Sequence, residues 1–334
     1  MYGIADLKDS IQIQGAVECP VLGCKTKVPR MTRGGANLNS KKSSLTEYLC
    51  RKHKIYISPT TFEYASELDN ILWSDKSDLQ LWKDIKSVKR ESRVARENSE
   101  DALSWNVFRY LETSGNMGLY LQSITQEPQT SCTPVYWSYD SETGSTWAPL
   151  YSAREEFGEL QARSSEPDII VHTESTVFFI EAKFGASNKT PGSATEVQKK
   201  IGNPKKYQTG ANGWYNTVFK STYETVLSDY KYELLRFWLL GSWLASQLNK
   251  KFVLCNLVLD KSEPNIVDDF GRHIKQGSNN RFARSTWEDI YLLIQNQRRA
   301  DSAENKMLSY FRNKSLGYKA GEQSKARIIK AFSV

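Results

Sequence analysis

The feature that most constrains the fold of this chain is a pair of apolar runs near its middle, "DIIV" from Asp168 and "TVFFIEAKF" from Thr176. Both runs are rich in β-branched and aromatic residues, and the polar segment from His172 to Ser175 separates them. Such runs predict two strands joined as a β-hairpin. The second run is predicted to be a central strand of the sheet that the hairpin belongs to.

Charged residues mark the edge of this predicted hairpin. Glu181 and Lys183 close the second strand, and alternation places both on one face. Asp168 opens the neighbouring strand, within reach of the same edge. Charges at the end of an apolar strand are costly unless they face a polar cavity, a metal or each other. Asp168 and Glu181 can hold one or two Mg²⁺ (or Mn²⁺) ions, and Lys183 can orient a water and stabilise charge, as phosphodiester cleavage requires.

A helix that could add another carboxylate is predicted over residues 98–112. Cap-type residues precede apolar residues at helical spacing there. Glu100 shares a face with Leu103 and Val107, so its carboxylate would point toward the sheet that the helix covers. It could instead serve only the helix dipole as a first-turn acid. Glu97, just before the helix, is the alternative to Glu100 as the helix carboxylate.

Two further strands are predicted between this helix and the hairpin, "GLYLQSIT" from Gly118 and "TPVYWSYD" from Thr133. After Lys183 the chain is rich in Gly, Asn and Lys, and we predict a long loop that is functional or mobile. The loop contains interleaved basic and aromatic residues: Lys199, Lys200, Lys205, Lys206, Tyr207, Trp214 and Tyr215. It could clamp a phosphate backbone or stack on a splayed base. A solvated surface insertion is the alternative.

The order of these motifs resembles the PD-(D/E)xK nuclease superfamily, which has the restriction-endonuclease-like fold. The resemblance covers about residues 98–260: a helix with an acid, strands, "EPD" with Asp168, "IEAK" with Glu181 and Lys183, then a helix "YKYELLRFWLLGSWLA" from Tyr230. It implies an α/β fold with a mixed central sheet flanked by helices. In that superfamily a later helix often carries an amide near the active site. This chain has Glu233 there, while Arg236 remains a candidate phosphate contact.

The first part of the chain carries a second motif, Cys19-x4-Cys24 and Cys50-x2-His53. Two close pairs of soft ligands are what a tetrahedral structural Zn²⁺ needs. A segment this short, with few large apolar residues, would hardly build a core without a metal. The sequence therefore predicts a small N-terminal zinc-finger-like module, and three reduced cysteines with a surface histidine are the alternative. The basic spacer between the pairs could contact DNA.

Composition narrows the class of partner. Forty-five Lys and Arg against 38 Asp and Glu give a net charge of +7, which is compatible with a polyanionic partner. No stretch approaches 18 consecutive apolar residues, so no membrane span is expected. The N-terminus lacks the basic start and apolar core of a signal peptide, which predicts a cytoplasmic protein.

Three regions are predicted: a zinc-binding module at residues 1–60, a helical connector at 61–97 and a nuclease domain at 98–334. We expect a metal-dependent nuclease that hydrolyses phosphodiester bonds, with DNA as the expected substrate. The resemblance implies a role in restriction, anti-phage defence or repair, with a homodimer or a partner protein of a defence system as possible assemblies. The alternatives are a non-catalytic nucleic-acid-binding or scaffold protein with a nuclease-like fold, and a nuclease that cleaves RNA.

Overall fold

The computed structural model describes residues 6–29, 46–57, 60–89, 93–160, 166–191, 193–201, 205–297, 299, 301–320 and 324–334. The chain divides into two compact units. The first unit comprises residues 1–79, 91–110 and 288–334, and the second comprises residues 80–90 and 111–287. The second unit contains Asp168, Glu181 and Lys183, and the first contains the Cys19/Cys24 and Cys50/His53 pairs.

Fifteen strands form within the described residues. They are β1 (Ser10–Gln12), β2 (Ala16–Glu18), β3 (Lys27–Pro29), β4 (Leu49–Cys50), β5 (Ile55–Ile57), β6 (Phe62–Tyr64), β7 (Thr133–Tyr136), β8 (Tyr139–Asp140), β9 (Ser145–Thr146), β10 (Ile169–His172), β11 (Thr176–Ala182), β12 (Lys251–Val258), β13 (Asn280–Thr286), β14 (Ser315–Ala320) and β15 (Lys325–Lys330). They build one large sheet in the second unit and three small sheets in the first.

Eleven α-helices form in the same described part of the chain. They are α1 (Lys76–Val88), α2 (Glu100–Thr113), α3 (Met117–Thr125), α4 (Ala148–Glu156), α5 (Ala194–Ile201), α6 (Lys205–Val218), α7 (Tyr223–Ser228), α8 (Tyr232–Gln247), α9 (Ile266–Gly271), α10 (Trp287–Gln297) and α11 (Ser302–Asn313). The backbone leaves the helical conformation inside α6, at Gly210 to Gly213. A helix over residues 98–112 was predicted, and α2 forms there.

The sheet of the second unit has the order β13-β12-β11-β10-β7-β8-β9 in the described residues. β11, β12 and β13 are parallel, whereas the pairs from β11 through β10 and β7 to β9 are antiparallel. The predicted hairpin is therefore present as β10 and β11, and the sheet is mixed. All seven residues of β11 are buried, as an apolar strand at the centre of a sheet covered on both faces must be.

Helix α8 covers this sheet because it is apolar almost all around. Eleven of its residues are buried, and its apolar side chains join one hydrophobic cluster with β7, β10, β11, β12 and the helices α4 to α7. Gly241 allows the closest approach, since a Cβ atom there would lie 2.1 Å from the ring of Phe252 on β12. The fold therefore requires glycine at this point of contact between helix and sheet.

The first unit joins both ends of the chain. β1 pairs antiparallel with β15, with Ser10 opposite Arg327, and β14 completes that sheet. Side chains from the N-terminal strands and from β14 and β15 share one hydrophobic cluster that includes Ile11, Tyr318 and Ile328. The predicted boundaries at residues 60 and 97 do not match this division, because strand pairing with the C-terminal segment supplies part of the core of the N-terminal residues.

Two other sequence predictions differ from the structure. The predicted strand from Gly118 is helix α3, whose buried residues Met117, Tyr120, Leu121 and Ile124 follow a helical spacing. The predicted loop after Lys183 contains α5 and α6, and its aromatic residues include core residues. Glycine and asparagine suggested a loop there, but inside α6 the non-helical backbone is confined to Gly210–Gly213.

Substituting Gly241→Ala is predicted to destabilise the second unit by about 1–3 kcal/mol, because the added methyl group overpacks against Phe252. Alanine has the higher intrinsic helix propensity, so the loss would come from packing. Chemical denaturation followed by circular dichroism measures the change. Ser246→Ala, at an exposed position of the same helix, should leave stability equal or slightly higher, and equal stability of both variants would contradict the packing argument.

Candidate functional site

Strand register brings a row of polar residues together at one edge of the large sheet. Ile169 pairs with Ile180 across β10 and β11, so Asp168 and Glu181 are the next residues of that antiparallel pair. Glu181 pairs with Asn256 on β12, and Asn256 pairs with Arg284 on β13. Paired residues of neighbouring strands project from the same face. The row crosses four strands on one face of the sheet.

Asp168 is fixed in place by two hydrogen bonds to its carboxylate. Its Oδ2 accepts from the backbone N–H of Ala182 at 2.9 Å, and its Oδ1 accepts from the indole N–H of Trp137 at 3.1 Å. The Asp168 carbonyl also accepts from the backbone N–H of Trp137. The carboxylate thus has a defined orientation beside the end of β11.

Lys183 lies between two carboxylates. Its ammonium contacts Glu181 Oε1 and lies 3.1 Å from Glu233 Oε2, at the first turn of α8. Glu181 and Lys183 are 3% and 9% exposed, so these charges interact with little screening by water. The structure brings together Asp168, Glu181 and Lys183 and adds Glu233 to them.

Glu181 is the buried acid of this group, whereas Asp168 and Glu233 are half-buried. Its Oε2 atom is buried and accepts no hydrogen bond from the described residues. Burial raises the pKa of Glu181 well above its ordinary value, the neighbouring Lys183 opposes this, and Glu233 and Asp168 raise the pKa further. Native proteins leave few buried polar atoms unpaired, so a buried carboxylate oxygen of this kind calls for an additional ligand or a proton.

A hydrogen-bonded network continues the row beyond Glu181. The Asn188 amide donates to Asn256 Oδ1 at 2.5 Å and to Glu263 Oε2 at 2.7 Å. Asn256 also donates to Glu263 Oε2 at 3.1 Å, and Glu263 Oε1 accepts from the backbone N–H of Asn188. Both asparagines are fully buried. These contacts fix the orientation of the Asn256 amide next to Glu181.

The two candidate helix carboxylates have different surroundings. Glu100 is the first residue of α2 and is half-buried, and it belongs to the first unit, so its role beside Asp168 stays a prediction. Glu97 is buried in that same unit. Its Oε1 accepts from the backbone N–H of Ser315, and its Oε2 accepts from Tyr64 and Lys314 at 2.8 and 3.4 Å. Glu97 is therefore part of a structural network of the first unit.

The lysines predicted to bind nucleic acid lie on α5 and α6. Lys199 is exposed in the last turn of α5. The ammonium of Lys200 lies 3.5 Å from the ring centroid of Tyr232, and that of Lys206 lies 4.7 Å from the ring centroid of Tyr207. α6 begins at Lys205, whose side chain lies outside the described part of the structure. Of the three described lysines, Lys199 is the most accessible to a phosphate backbone.

Arg236 occupies a different environment from the one expected of a phosphate contact. Its guanidinium is 2% exposed and makes two hydrogen bonds to the fully buried Glu159 carboxylate, at 2.8 and 2.7 Å. The Tyr207 hydroxyl donates to the same carboxylate at 2.6 Å. A bidentate pair of this kind uses the guanidinium edge that would face a phosphate. The structure therefore places Arg236 in a buried ion pair, and we do not propose it as a phosphate contact.

Cys19, Cys24, Cys50 and His53 form a compact cluster in the first unit. Their ligand atoms, three thiol sulfurs and one imidazole nitrogen, all lie within 4.8 Å of one another, a grouping that could hold a metal ion such as zinc. The Cys19 Sγ to His53 Nδ1, Cys50 Sγ to His53 Nδ1 and Cys24 Sγ to Cys50 Sγ distances are 3.4, 3.8 and 4.0 Å. A tetrahedral zinc ion would place such atoms roughly 3.5–3.8 Å apart.

The Cys19/Cys24 pair and the Cys50/His53 pair lie at hairpin ends. Cys19 and Cys24 lie between β2 and β3, with Gly23 at φ +74°. Cys50 is the last residue of β4, and His53 lies between β4 and β5. Burial raises the pKa of the Cys19 thiol. Burial also lowers the pKa of His53, as do the nearby charges of Lys52 and Lys8, which favours the neutral imidazole that binds metals. Much of the basic spacer lies outside the described residues, at 30–45.

Comparisons with protein-family models, with curated proteins and with solved structures find no match to this chain. The resemblance to PD-(D/E)xK nucleases thus rests on the residues of the site itself. None of the helices in the described ranges is both long and apolar enough to cross a lipid bilayer.

Sequence reasoning missed several residues of the site. Asn256 was visible as the one amide inside the apolar run "KFVLCNLVL", and that polar position could have indicated it. Glu233 was noticed only as a departure from the superfamily pattern, whereas the structure pairs it with Lys183. Trp137 and Asn188 carried no signal in the sequence, because tertiary contacts alone bring them to Asp168 and Asn256.

Glu181→Gln is predicted to stabilise the protein at neutral pH when Mg²⁺ and Mn²⁺ are absent. The folded protein holds the Glu181 proton more tightly than the unfolded chain does, so the stabilisation from that proton is complete below the unfolded pKa and is lost as pH rises through the folded pKa. The glutamine side chain in Glu181→Gln does not ionise, so this loss does not occur. We expect the free energy of unfolding at pH 7 to rise by roughly 0.5–2 kcal/mol.

Thermal or urea unfolding at pH 7 and near pH 4, about the ordinary glutamate pKa, tests this prediction. The difference between the variant and the natural protein should shrink at the lower pH. Glu142→Gln, at an exposed position of the same unit, is the matched control and should change little at either pH. A Glu181→Gln variant that is less stable at pH 7 would show that Glu181 is well compensated.

Proposed function

We propose that this protein is a metal-dependent nuclease whose reaction site is the group formed by Asp168, Glu181, Lys183 and Glu233. The observation that carries the proposal is the buried, unpartnered Oε2 of Glu181 among other acidic groups. A buried carboxylate oxygen without a partner lowers the stability of the fold, and such groups are typical of catalytic sites.

The donor set fits a hard divalent cation. Asp168 and Glu181 would hold Mg²⁺ or Mn²⁺ through carboxylate oxygens, and Mg²⁺ commonly uses one or two carboxylates and keeps several waters. When bound, the ion would polarise the scissile phosphate and acidify a water. Asp168 is already oriented by Ala182 and Trp137, so its position does not depend on the ion. Glu100 remains a proposed additional carboxylate.

Lys183 is the proposed electrostatic catalyst. Its contacts with Glu181 and Glu233 hold the ammonium at the edge of the sheet. From that position it can orient a water and stabilise negative charge on a phosphate oxygen. Glu233 takes the place of the amide that the superfamily often has on this helix, and its role here is to hold Lys183.

The proposed substrate is DNA. The net charge of +7 and the exposed Lys199 favour a polyanion, and we propose that Lys200, Lys205 and Lys206 extend that surface. The resemblance suggests a role in restriction, anti-phage defence or repair. It also suggests that the protein acts as a homodimer or with a partner protein. The alternatives are an RNA nuclease and a non-catalytic nucleic-acid-binding scaffold. Cleavage and binding assays with DNA and RNA substrates distinguish them.

For the Cys/His cluster we propose structural Zn²⁺. All four positions would be filled by protein ligands, which leaves no open position for chemistry. The first unit has small sheets of two and three strands in its described residues, and metal binding would add stability to the hairpins that carry the ligands. The ammonium of Lys8, which contacts the carbonyl oxygens of Cys19 and Cys24, would offset the negative charge of three thiolates.

Metal analysis of the purified protein is predicted to find about one zinc per chain. Cys24→Ser should lose that zinc and lower the unfolding temperature, because the hairpins lose their shared ligand. Cys255→Ser, a buried cysteine outside the cluster, is the control and should retain zinc. Zinc-free protein with the same unfolding temperature as the natural protein would contradict a structural metal.

Cleavage is predicted to require Mg²⁺ or Mn²⁺ together with Asp168 and Lys183. Asp168→Ala and Lys183→Ala should each lower the cleavage rate at least about 100-fold, because each removes a group that acts on the reacting phosphate. Incubation with plasmid, linear duplex, single-stranded DNA and RNA, with each metal and with EDTA, measures the activity and shows the substrate.

Asp268→Ala and Lys261→Ala are matched controls, since both residues are exposed and lie in the same unit. They should cleave like the natural protein. Metal-dependent cleavage that survives both Asp168→Ala and Lys183→Ala would place the reaction elsewhere. Binding without cleavage under every condition would support the scaffold function, and cleavage confined to RNA would support the RNA nuclease.

A further inference from the structure

The turn between β7 and β8 has an unusual backbone for its sequence. Tyr136 and Tyr139 pair across the hairpin, so Trp137 and Ser138 form a two-residue loop. Both have positive φ angles, 45° and 74°. Two positive φ values are the mark of a type I′ turn, which strongly prefers Asn-Gly. A bulky residue such as tryptophan rarely adopts positive φ, so this turn is strained.

The strained turn places the Trp137 side chain against the candidate active site. The indole N–H donates to Asp168 Oδ1 at 3.1 Å, and the backbone N–H of the same residue donates to the Asp168 carbonyl at 3.1 Å. The indole N–H can only donate, so it suits an ionised carboxylate. Together with Ala182 N–H on Oδ2, it fixes both oxygens of Asp168.

The indole itself is held firmly. It is 2% exposed, and the Trp82 ring packs edge-on against it at a centroid distance of 6.0 Å and an interplanar angle of 76°. The ammonium of Lys89 lies 4.4 Å from its ring centroid. The backbone, the packing and the cation therefore restrict this side chain to one orientation, with its N–H toward Asp168.

We propose that Trp137 is a positioning residue of the active site, and that the strained turn is retained because it holds the indole N–H on Asp168. This inference rests on the proposed metal-dependent reaction. Hydrogen bonds that orient a metal-binding carboxylate typically change metal affinity 10- to 100-fold when they are removed. Trp137 would act through Asp168 and would not touch the substrate.

Trp137→Phe tests the proposal, because it removes the N–H and keeps an aromatic ring. In the zinc-loaded protein we expect Mn²⁺ affinity, measured by calorimetry, to fall about tenfold. At saturating metal, kcat should fall while KM for DNA stays unchanged, since the substrate contacts are kept. A purely structural role would change the unfolding temperature without this separation of kcat from KM.

Two control variants keep the test decisive. Trp82→Phe makes the same replacement in a buried indole that packs on Trp137, and it should keep the Mn²⁺ affinity. Ser138→Gly relieves the second strained position and should raise the unfolding temperature with unchanged Mn²⁺ affinity. An unfolding temperature that falls in Ser138→Gly would contradict the strain.

Three outcomes test the proposed positioning role of Trp137. Weaker Mn²⁺ binding and lower kcat in Trp137→Phe alone support the proposal. If the natural protein is active and Trp137→Phe has the same Mn²⁺ affinity and kcat, the proposal is overturned and the proposed nuclease function stays intact. The same holds if Trp82→Phe loses as much Mn²⁺ affinity and kcat as Trp137→Phe. A natural protein that neither binds Mn²⁺ nor cleaves any nucleic acid overturns both.

Discussion

The hydrogen bond from the backbone N–H of Ala182 to the Asp168 carboxylate is the constraint on which the candidate site depends. Where the ladder between β10 and β11 ends, the side chain of Asp168 takes the acceptor position that a backbone carbonyl would otherwise fill. This ties an acidic side chain to the central strand at the residue between Glu181 and Lys183. The parallel pairing of β11 with β12 then adds Asn256 to the same edge.

Two buried acid–lysine groups among the described residues differ in how completely their polar atoms are paired. In the first unit, both oxygens of Glu97 accept hydrogen bonds from the residues around them, and Lys314 also reaches Asn70. In the second unit, Glu181 keeps one buried oxygen without a partner among the described residues. A fully paired network stabilises a fold, whereas an incomplete one is costly and is typical of sites that bind or react.

Much of the candidate site could be predicted from local patterns. The alternation of β11, the β-hairpin and the spacing of Cys19, Cys24, Cys50 and His53 depend on residues close in sequence or on ligand chemistry, and the structure contains the hairpin and the cluster. The strand prediction from Gly118 differed from the structure because helical and strand spacings overlap in short segments. The loop prediction after Lys183 differed because it relied on glycine and asparagine content, whereas α5 and α6 form there. Arg236 was a candidate phosphate contact, but the structure pairs it with Glu159, 77 residues away.

The sequence by itself determined the hairpin, the positions of the acids and lysine along it, and the two Cys/His pairs, because periodicity and ligand spacing are local properties. Only the tertiary structure decided that β1 joins β15, that Glu233 reaches Lys183, and that Trp137 reaches Asp168. These contacts join residues far apart in the chain, and their formation depends on strand pairing and on the packing of a whole unit. No local pattern encodes such a pairing, since many residues of the same type could have filled each role.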